Sequence, residues 1–428
     1  MPLDPRPDFT PDWPTCRVAE NCRGIQHGGT NQCFVHNHTP MDRLLSDLDL
    51  TAGLDLRGVE LSAPNLSRIL ARFDDGDRIR LGDVRFNHAW FSGDAEFDGA
   101  AFGETADFSG AWFCGSARFN DVTCAGRVSF TECQFDGYAQ IRWFQVQRLA
   151  LNRARFARAT EIDVWAEEVY IDSTRFEGGV VLRVGTANVF AGGTHYGAAS
   201  MIAGDFKAWD DKPAKLWTLT ESDVSNLVLT DMDLSICTFV GAHRLDQLRI
   251  DGRSRFAVPP KRLWFSDRRV IDDERNWRGW SGITKFPVDP ARVAALYRSL
   301  RKSFEDSKNA AEAGDFYYGE MEMRRHSEET SRAEKAILWC YWLLSGYGQR
   351  AARAVAALVV LVVTVATLLI VWGQPFGHAA RIAVGAVVFR DDRTDLTEAG
   401  EWTVLTARFL GPVLLALAVL AIRARVKR

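Results

Sequence analysis

The sequence predicts a mainly β chain, in which a solenoid is followed by an α-helical linker and two transmembrane helices. The solenoid is indicated by a run of phenylalanines whose spacing alternates between five and six residues, at Phe86, Phe91, Phe97, Phe102, Phe108 and Phe113. Neither an α-helix nor a single β-strand has that period. The transmembrane helices are indicated by two apolar stretches near the C-terminus. With 428 residues, the chain is long enough for two or three domains.

The phenylalanine run continues through Phe119, Cys124, Phe130 and Phe135, and a small or short residue lies two positions before each of them. Plainer copies of the same unit come earlier at Leu56, Leu61 and Leu66, and later in residues 151–156, 171–176 and 229–239. This small-x-large unit resembles the motif of pentapeptide-repeat proteins, which has a central Leu or Phe with Ala two residues before it. The resemblance covers about residues 47–256.

The resemblance implies a right-handed quadrilateral β-helix, in which each five-residue unit forms one face and four units form a coil. The alternating spacing adds residues, so we expect about 22 per coil, with the extra residue in corners near Gly93, Asp94 and Gly103. The large residues should then stack from coil to coil at about 4.8 Å. Phe86, Phe108 and Phe130 would form one ladder, Phe97 and Phe119 the opposite one, Phe91, Phe113 and Phe135 a third, and Phe102 with Cys124 a fourth. Function would lie on outward residues such as Asn87, Trp90 and Trp112.

The chain divides into segments of different composition. We predict a disordered tail (1–12), a zinc-binding module (13–40), the solenoid (47–258), a Trp-rich linker (259–289), a helical hairpin (290–333), an interfacial helix (334–353), the first span (354–372), an extracytoplasmic loop with a short apolar segment (373–401), the second span (402–422) and a basic tail (423–428). The repeat loses its regularity at about 185–218, where we expect irregular coils or an insertion.

The membrane assignment depends on residues 354–372, which are uncharged, and on residues 409–422, which reach spanning length if the helix starts near Trp402 and includes Arg408. Basic residues flank the two spans on their outer sides: Arg324, Arg325, Arg332, Lys335, Arg350, Arg353, Arg423, Arg425, Lys427 and Arg428. The positive-inside rule therefore predicts cytoplasmic termini in a bacterial plasma membrane. Residues 292–428 also resemble the membrane tail of actinobacterial pentapeptide-repeat proteins.

A cluster of cysteine and histidine near the N-terminus is typical of a metal site. Cys16, Cys22, Cys33 and His36 supply the thiolate and imidazole ligands that tetrahedral Zn²⁺ prefers. His27 and His38 are alternative fourth ligands. Four protein ligands would close the site, so we expect zinc to be structural. Of the other cysteines, Cys124, Cys133 and Cys237 should face the core and Cys114 should face outward.

No catalytic motif is found in the sequence, so we expect a protein that is not an enzyme. The leading hypothesis is a membrane-anchored scaffold that presents the solenoid to an unidentified protein partner. The first alternative is a subunit of an oligomeric two-span ion channel, because a short apolar segment (376–389) lies between the spans and Arg408 lies in the second. The second is DNA mimicry toward gyrase, implied by the family resemblance and by an acidic set: Asp94, Glu96, Asp98, Glu104 and Asp107. The net charge of −3 does not point to nucleic acid as a partner.

Overall fold

The structure is a computed structural model that describes residues 9–19, 21–37, 43, 53–204, 213–260, 268–280, 288–388 and 396–426. The chain divides into two compact units. The first comprises Met1–Pro260 with Ile271–Arg275, and the second comprises Lys261–Val270 with Asn276–Arg428. Each unit is described by itself below.

The first unit is a parallel β-solenoid of about 8 turns. One sheet contains seven of the described strands and the other contains seventeen, and the strands of successive coils pair in parallel. The strands are β1 (Leu54–Asp55), β2 (Glu60–Leu61), β3 (Ile79–Arg85), β4 (Trp90–Phe91), β5 (Ala95–Glu96), β6 (Ala100–Asp107), β7 (Trp112–Phe113), β8 (Ala117–Arg118), β9 (Thr123–Cys124), β10 (Arg127–Ser129), β11 (Gln134–Phe135), β12 (Ala139–Gln145), β13 (Arg148–Ala150), β14 (Arg155–Phe156), β15 (Thr160–Trp165), β16 (Glu168–Tyr170), β17 (Arg175–Phe176), β18 (Val180–Val184), β19 (Asn188–Phe190), β20 (His195–Tyr196), β21 (Ser200–Gly204), β22 (Lys215–Thr218), β23 (Leu227–Thr230) and β24 (Arg249–Asp251).

The phenylalanine ladders are confirmed. Ring centroids along the ladder from Phe91 through Phe113 to Phe135 are 4.6 Å apart at each step, and the rings are parallel within 3°. In the ladder of Phe86, Phe108 and Phe130 the centroids are 5.1 Å apart at each step, and Phe97 stacks on Phe119 at 5.0 Å. Phe102 pairs with Cys124. These side chains are buried, and so are Cys133 and Cys237, so the large residues form the solenoid core.

The length of a coil changes along the solenoid. Trp112 pairs with Gln134, which gives the predicted 22 residues, whereas Arg155 pairs with Arg175, which gives 20. The longer coils contain a bulge: Gly82 pairs with Phe102 and Val84 with Ala106, so Gly103 lies in it as expected. The later coils lose the extra residues and contain 20. The prediction of 22 residues therefore holds only for the phenylalanine-rich coils.

Two insertions interrupt the repeat. Leu61 pairs with Phe91, thirty residues along the chain, because helix α1 (Ala63–Arg72) is inserted in the first coil. Leu66 is buried on this helix, so its prediction as a solenoid position was wrong. Val189 pairs with Leu216, which confirms extra residues in the region of 185–218. Of that region, residues 205–212 lie outside the described residues.

The C-terminal end of the solenoid is covered by helix α2 (Asp272–Trp277), in the segment predicted as a linker. Asp273 Oδ2 accepts a hydrogen bond of 3.0 Å from the backbone N–H of Phe239, and Arg275 donates to the carbonyl oxygen of Ser235 at 2.9 Å. These side chains satisfy backbone groups that an open end would leave unpaired. Trp264, one of the tryptophans of the predicted Trp-rich linker, lies outside the described residues.

The second unit is helical: α3 (Pro290–Asp306), α4 (Ala310–His326), α5 (Arg332–Ser345), α6 (Ala351–Val371), α7 (Phe376–Val387) and α8 (Glu398–Val426). Helix α3 begins with Asp289, which accepts from the N–H of Ala291, and with Pro290 in its first turn. Val293, Leu300 and Phe304 form a buried apolar face on α3, and Phe316 and Met321 are buried on α4. Tyr317 is half-buried, whereas Tyr318 is buried.

Helices α6 and α8 are long and apolar enough to cross a membrane. The short α7 packs between them through a cluster of small and aliphatic side chains, among them Val365, Ile382 and Ala407. Gly411 on α8 allows the close approach of α7, because a Cβ there would lie 2.8 Å from Val387 Cα. The three helices therefore share one apolar core.

Candidate metal centre and exposed solenoid surface

The structure brings together the four residues predicted to bind metal. One ligand atom from each of Cys16, Cys22, Cys33 and His36 lies within 4.8 Å of the others. The Sγ atoms of Cys22 and Cys33 are 3.8 Å apart, and His36 Nδ1 is 3.6 Å from Cys16 Sγ and 3.4 Å from Cys33 Sγ. A tetrahedral zinc ion separates two sulfur ligands by about 3.8 Å and a sulfur from a nitrogen by about 3.5 Å. The donor set therefore fits tetrahedral zinc.

Backbone hydrogen bonds hold the short segment that carries these ligands. Thr15 and Ile25 form an antiparallel bridge, and the N–H of Cys16 donates to the carbonyl oxygen of Gly24 at 2.8 Å. A side chain at position 24 would clash with Cys33, since a Cβ there would lie 2.9 Å from the Cβ of Cys33. Glycine is thus required for the two strands of the segment to bring Cys16 and Cys33 together.

The alternative histidines differ in their surroundings. His27 packs edge-on against Phe34, with ring centroids 5.3 Å apart, and is not part of the four-residue cluster. His38 lies outside the described residues. Among the histidines that the structure describes, His36 is the one positioned as the fourth ligand.

Two thiols of the cluster form a hydrogen bond that shifts their pKa values in opposite directions. A hydrogen bond from Cys22 lowers the pKa of the Cys33 thiol to about 5, and the same bond raises the pKa of Cys22 well above its ordinary value. Without metal, the pair therefore shares one negative charge. A bound divalent cation would stabilise the further thiolates, because it supplies the compensating charge.

Residues 9–19 and 21–37 form an N-terminal cap on the first coil of the solenoid. The N–H of Ile25 donates to the carbonyl oxygen of Arg57 at 2.8 Å, and Phe9 stacks on His88 with ring centroids 3.9 Å apart. The Trp13 indole donates to the carbonyl oxygen of Arg23 at 2.9 Å. An exposed strand edge invites pairing with other chains, so the N-terminal cap protects this end as α2 protects the other. The sequence predicted the metal module but not its contact with the solenoid.

Gly58 is the closest point between the N-terminal cap and the solenoid, and it provides a test of this contact. Its φ is +65°, and a Cβ would lie 2.3 Å from the carbonyl oxygen of Arg23. We expect Gly58→Ala to lower the free energy of unfolding by about 2–4 kcal/mol, since it adds a clash to the cost of a left-handed alanine. Gly76 is the matched control, because its φ is +91° with nothing within 4 Å of a Cβ.

For Gly76→Ala, chemical denaturation of the full chain should show a loss of about 1 kcal/mol, which is the conformational cost alone. Equal losses in the two variants would show that the N-terminal cap does not contact the solenoid at Gly58.

Most side chains of the acidic set form hydrogen bonds or an ion pair with other residues of the solenoid. Asp94 and Asp98 accept hydrogen bonds from the backbone N–H groups of residues 116 and 120 in the next coil, at 2.8 and 2.9 Å. Glu96 forms an ion pair with Arg118 at 2.8 Å, and Asp107 accepts from Ser109. These carboxylates therefore stabilise the coils and pair with a base, which reduces the charge that the surface offers to a partner.

The exposed aromatic residues differ from those that the sequence singled out. Trp90 and Trp112 are half-buried, and their indole N–H groups bond to Cys114 Sγ at 2.9 Å and to Asp136 Oδ2 at 2.6 Å. Tyr138 and Trp143 lie past the dense phenylalanine run and are 63% and 59% exposed. Trp143 lies in the bulge between Ile141 and Phe144, a position that the repeat spacing does not indicate.

Comparison with protein families identifies the solenoid. A family model for pentapeptide repeats (9 copies) matches residues 86–134, which contain the stacked phenylalanines of the longer coils. This part of the solenoid consists of pentapeptide repeats. The searches of curated proteins and of solved structures found no match.

The helical unit of this protein contains a buried network of acidic and basic groups. Glu322 accepts hydrogen bonds from Arg278 at 3.1 Å, from Arg325 at 2.8 Å and from the hydroxyl of Tyr347 at 3.0 Å. Arg325 also lies over the Trp342 ring at 4.7 Å. This network fixes the turn between α5 and α6. On α5, the helix predicted to lie at the interface, Ile337, Trp339 and Leu343 are exposed apolar side chains.

Proposed function

We propose that this protein is a non-enzymatic, membrane-anchored scaffold whose solenoid presents a fixed surface to a protein partner. The observation that supports it most is that the coils bury one set of aromatic side chains and expose another. The phenylalanines of the ladders are sealed in the core, while Tyr138 and Trp143 are exposed on the outside. Large aromatic residues are the side chains that most often provide binding energy at protein interfaces.

The solenoid is suited to this role because its surface is rigid. Backbone hydrogen bonds join each coil to the next, and ladder rings such as Phe113 and Phe135 are stacked face to face. When a partner binds such a surface, few side chains or loops of the solenoid have to become ordered. The entropic cost of association is therefore lower.

The tether in this proposal is formed by α6 and α8. Side chains such as Val360, Val371 and Phe409 are exposed on these helices, as expected for helices that contact lipid. The basic residues that flank the spans favour a bacterial plasma membrane with both termini and the solenoid on the cytoplasmic side. The lipid bilayer is then one partner, and a second protein is the other.

The proposal includes zinc in the N-terminal cap. Cys16, Cys22, Cys33 and His36 would fill the four positions of a tetrahedral ion, so that none is left for substrate or water. Bound zinc would supply the charge that holds several thiolates together. The role of this ion is then to fold a segment that has little apolar core of its own.

Site-specific photo-crosslinking in cells tests the scaffold. A photoreactive amino acid is placed at Tyr138 or Trp143, and at the exposed Glu329 of the helical unit as a control. We expect a discrete adduct with one partner from the solenoid positions and a different pattern from Glu329. Adducts that contain only a second copy of this chain, or no adduct from any solenoid position, would contradict the scaffold.

An oligomeric pore is the second candidate, because α7 packs against both long helices through Ala379, Ile382 and Ala386. A short helix between two spans is the arrangement that a pore would use. Ion flux into liposomes containing the purified protein, together with a symmetric oligomer in detergent, would favour it.

DNA mimicry has no comparable support, since most of the acidic side chains have structural partners. Inhibition of gyrase supercoiling by the purified protein would support it.

A further inference from the structure

A groove runs along the outside of the solenoid beside Trp143. Its volume is about 880 Å³, and it is lined by side chains of successive coils, among them Phe102, Thr123, Cys124, Trp143, Gln145 and Trp165. Neither the metal site nor the acidic set includes any of these residues. The groove is therefore a separate feature of the surface.

Trp143 occupies an unusual backbone conformation. It takes the same corner as Gly99 and Asp121 in the two preceding coils, and the three residues have φ values of 72°, 55° and 55°. Glycine and aspartate adopt this left-handed conformation readily, but a bulky aromatic residue rarely does. The side chain is 59% exposed, so core packing gives no reason for tryptophan here. Other non-glycine residues of the solenoid, such as Glu132 and Arg153, also have a positive φ, so the unusual feature here is the large exposed ring.

The neighbouring coil supports the Trp143 ring. Trp165 stacks on it with ring centroids 5.4 Å apart and an angle of 9° between the planes. Position 185 in the following coil is glycine, and a Cβ there would lie 2.6 Å from Trp165 Cδ1. On the other side the aromatic ladder stops, because Asp121 occupies the corner of the preceding coil that corresponds to Trp143. The groove thus lies where one more ring could continue the stack.

The charge of the groove limits its ligands. Among the described residues that line it, none is an acid or a base. Burial raises the pKa of the Cys124 thiol, which keeps that group neutral. The nearby Arg78 and Asp121 pair with each other at 3.2 Å. A neutral ligand fits this surface better than a nucleic acid, a phosphorylated peptide or an anionic lipid headgroup.

The length of the groove fits an extended peptide. Phe102 pairs with Cys124, and Gln145 pairs with both Thr123 and Trp165, so the groove crosses four coils. Three steps of about 4.8 Å give about 14 Å. A polyproline II segment of four or five residues covers that distance at about 3.1 Å per residue. Aromatic-lined grooves bind such segments because proline rings pack flat against aromatic faces.

We propose that this groove binds a neutral, proline-rich extended segment of the partner protein, with one proline ring against Trp143. This inference rests on the proposed scaffold function and names the recognition element for it. The exposed amide of Gln145 would bond to the peptide backbone, whose carbonyl oxygens are free in polyproline II. The ring of Trp143 supplies the apolar contact, and Trp165 holds that ring in place.

The test uses the full-length protein in detergent micelles. The probe is a fluorescent peptide of ten prolines, and a Gly-Ser peptide of equal length is the control ligand. Fluorescence anisotropy should show saturable binding of the proline peptide, weakened about tenfold or more by Trp143→Ala. Binding should be unchanged by Val258→Ala, which removes an exposed apolar side chain outside the groove. Trp143→Gly should lose binding equally while its melting temperature is unchanged or raised, because glycine relieves the left-handed strain.

The inference would be overturned by no saturable binding, by equal binding of the Gly-Ser peptide, or by unchanged binding in Trp143→Ala and Trp143→Gly. A dimer of the chain whose interface includes Trp143 would also overturn it, since a second copy would then occupy the groove. Photo-crosslinking separates the two proposals. A partner adduct at Tyr138 without peptide binding would support the scaffold and contradict the proposed peptide-binding groove. Peptide binding without an adduct at Tyr138 or Trp143 would support the groove as a peptide site and contradict the scaffold.

Discussion

Replacing Cys33 with serine is expected to remove metal from the full-length protein and to unfold the N-terminal cap. Zinc content should fall from about one ion per chain to less than about 0.1, because the variant loses a buried thiolate ligand. Structural zinc in small modules contributes about 10–16 kcal/mol of apparent binding free energy, which is more than this short segment can replace. Elemental analysis measures the metal, and limited proteolysis measures the unfolding.

Trypsin should cleave after Arg17 or Arg23 about tenfold faster or more in this variant, since both lie between metal ligands and are protected only while the segment is folded. Cys340→Ser is the matched control, because Cys340 is an exposed free cysteine on α5. It should leave zinc content and proteolysis unchanged. Stoichiometric zinc in Cys33→Ser, or equal loss in Cys340→Ser, would contradict the assignment of the ligands.

Replacing Phe113 with alanine should be the most destabilising single change in the solenoid core. The Phe113 ring is fully buried and stacks between Phe91 and Phe135 at 4.6 Å on each side. The substitution removes both stacking contacts and leaves a cavity that the rigid coils cannot close, so the free energy of unfolding should fall by about 3–5 kcal/mol. Chemical denaturation followed by circular dichroism of the β-signal measures the loss.

Tyr138→Ala is the control for this change, since Tyr138 is exposed and should alter stability by less than about 0.5 kcal/mol. Phe113→Leu should retain much of the stability because it keeps most of the apolar volume. If Phe113→Ala and Tyr138→Ala were equally stable, the phenylalanine ladder would not be the core of the protein.

The sequence predicted the parts of the fold that follow from a regular spacing. Phe86, Phe108 and Phe130 stack as expected because a residue repeated every 22 positions must return to the same face of a coil. The metal ligands were predicted for a related reason: thiolate and imidazole groups in a short polar segment have few other structural uses. The spacing placed His36 in the ligand set but did not exclude His27. The structure separates them, because His36 lies in the cluster and His27 packs against Phe34.

Other features could not be predicted from the repeat. Leu66 keeps the five-residue spacing yet lies on α1, where Pro64 in the first turn was the available helix signal. The contact between the N-terminal cap and Gly58 joins segments that share no sequence pattern. The exposure of Trp143 follows from a bulge between Ile141 and Phe144, and the position of a bulge depends on the register of the neighbouring coil.

X-ray absorption spectroscopy at the zinc edge, on full-length protein purified without added metal, would examine the N-terminal cap most closely. We predict a coordination shell of three sulfur atoms at about 2.3 Å and one nitrogen at about 2.0 Å, from the three cysteines and His36. A shell of oxygen and nitrogen alone, or protein that is folded and free of metal, would contradict a solenoid that is closed by a zinc-bound cap.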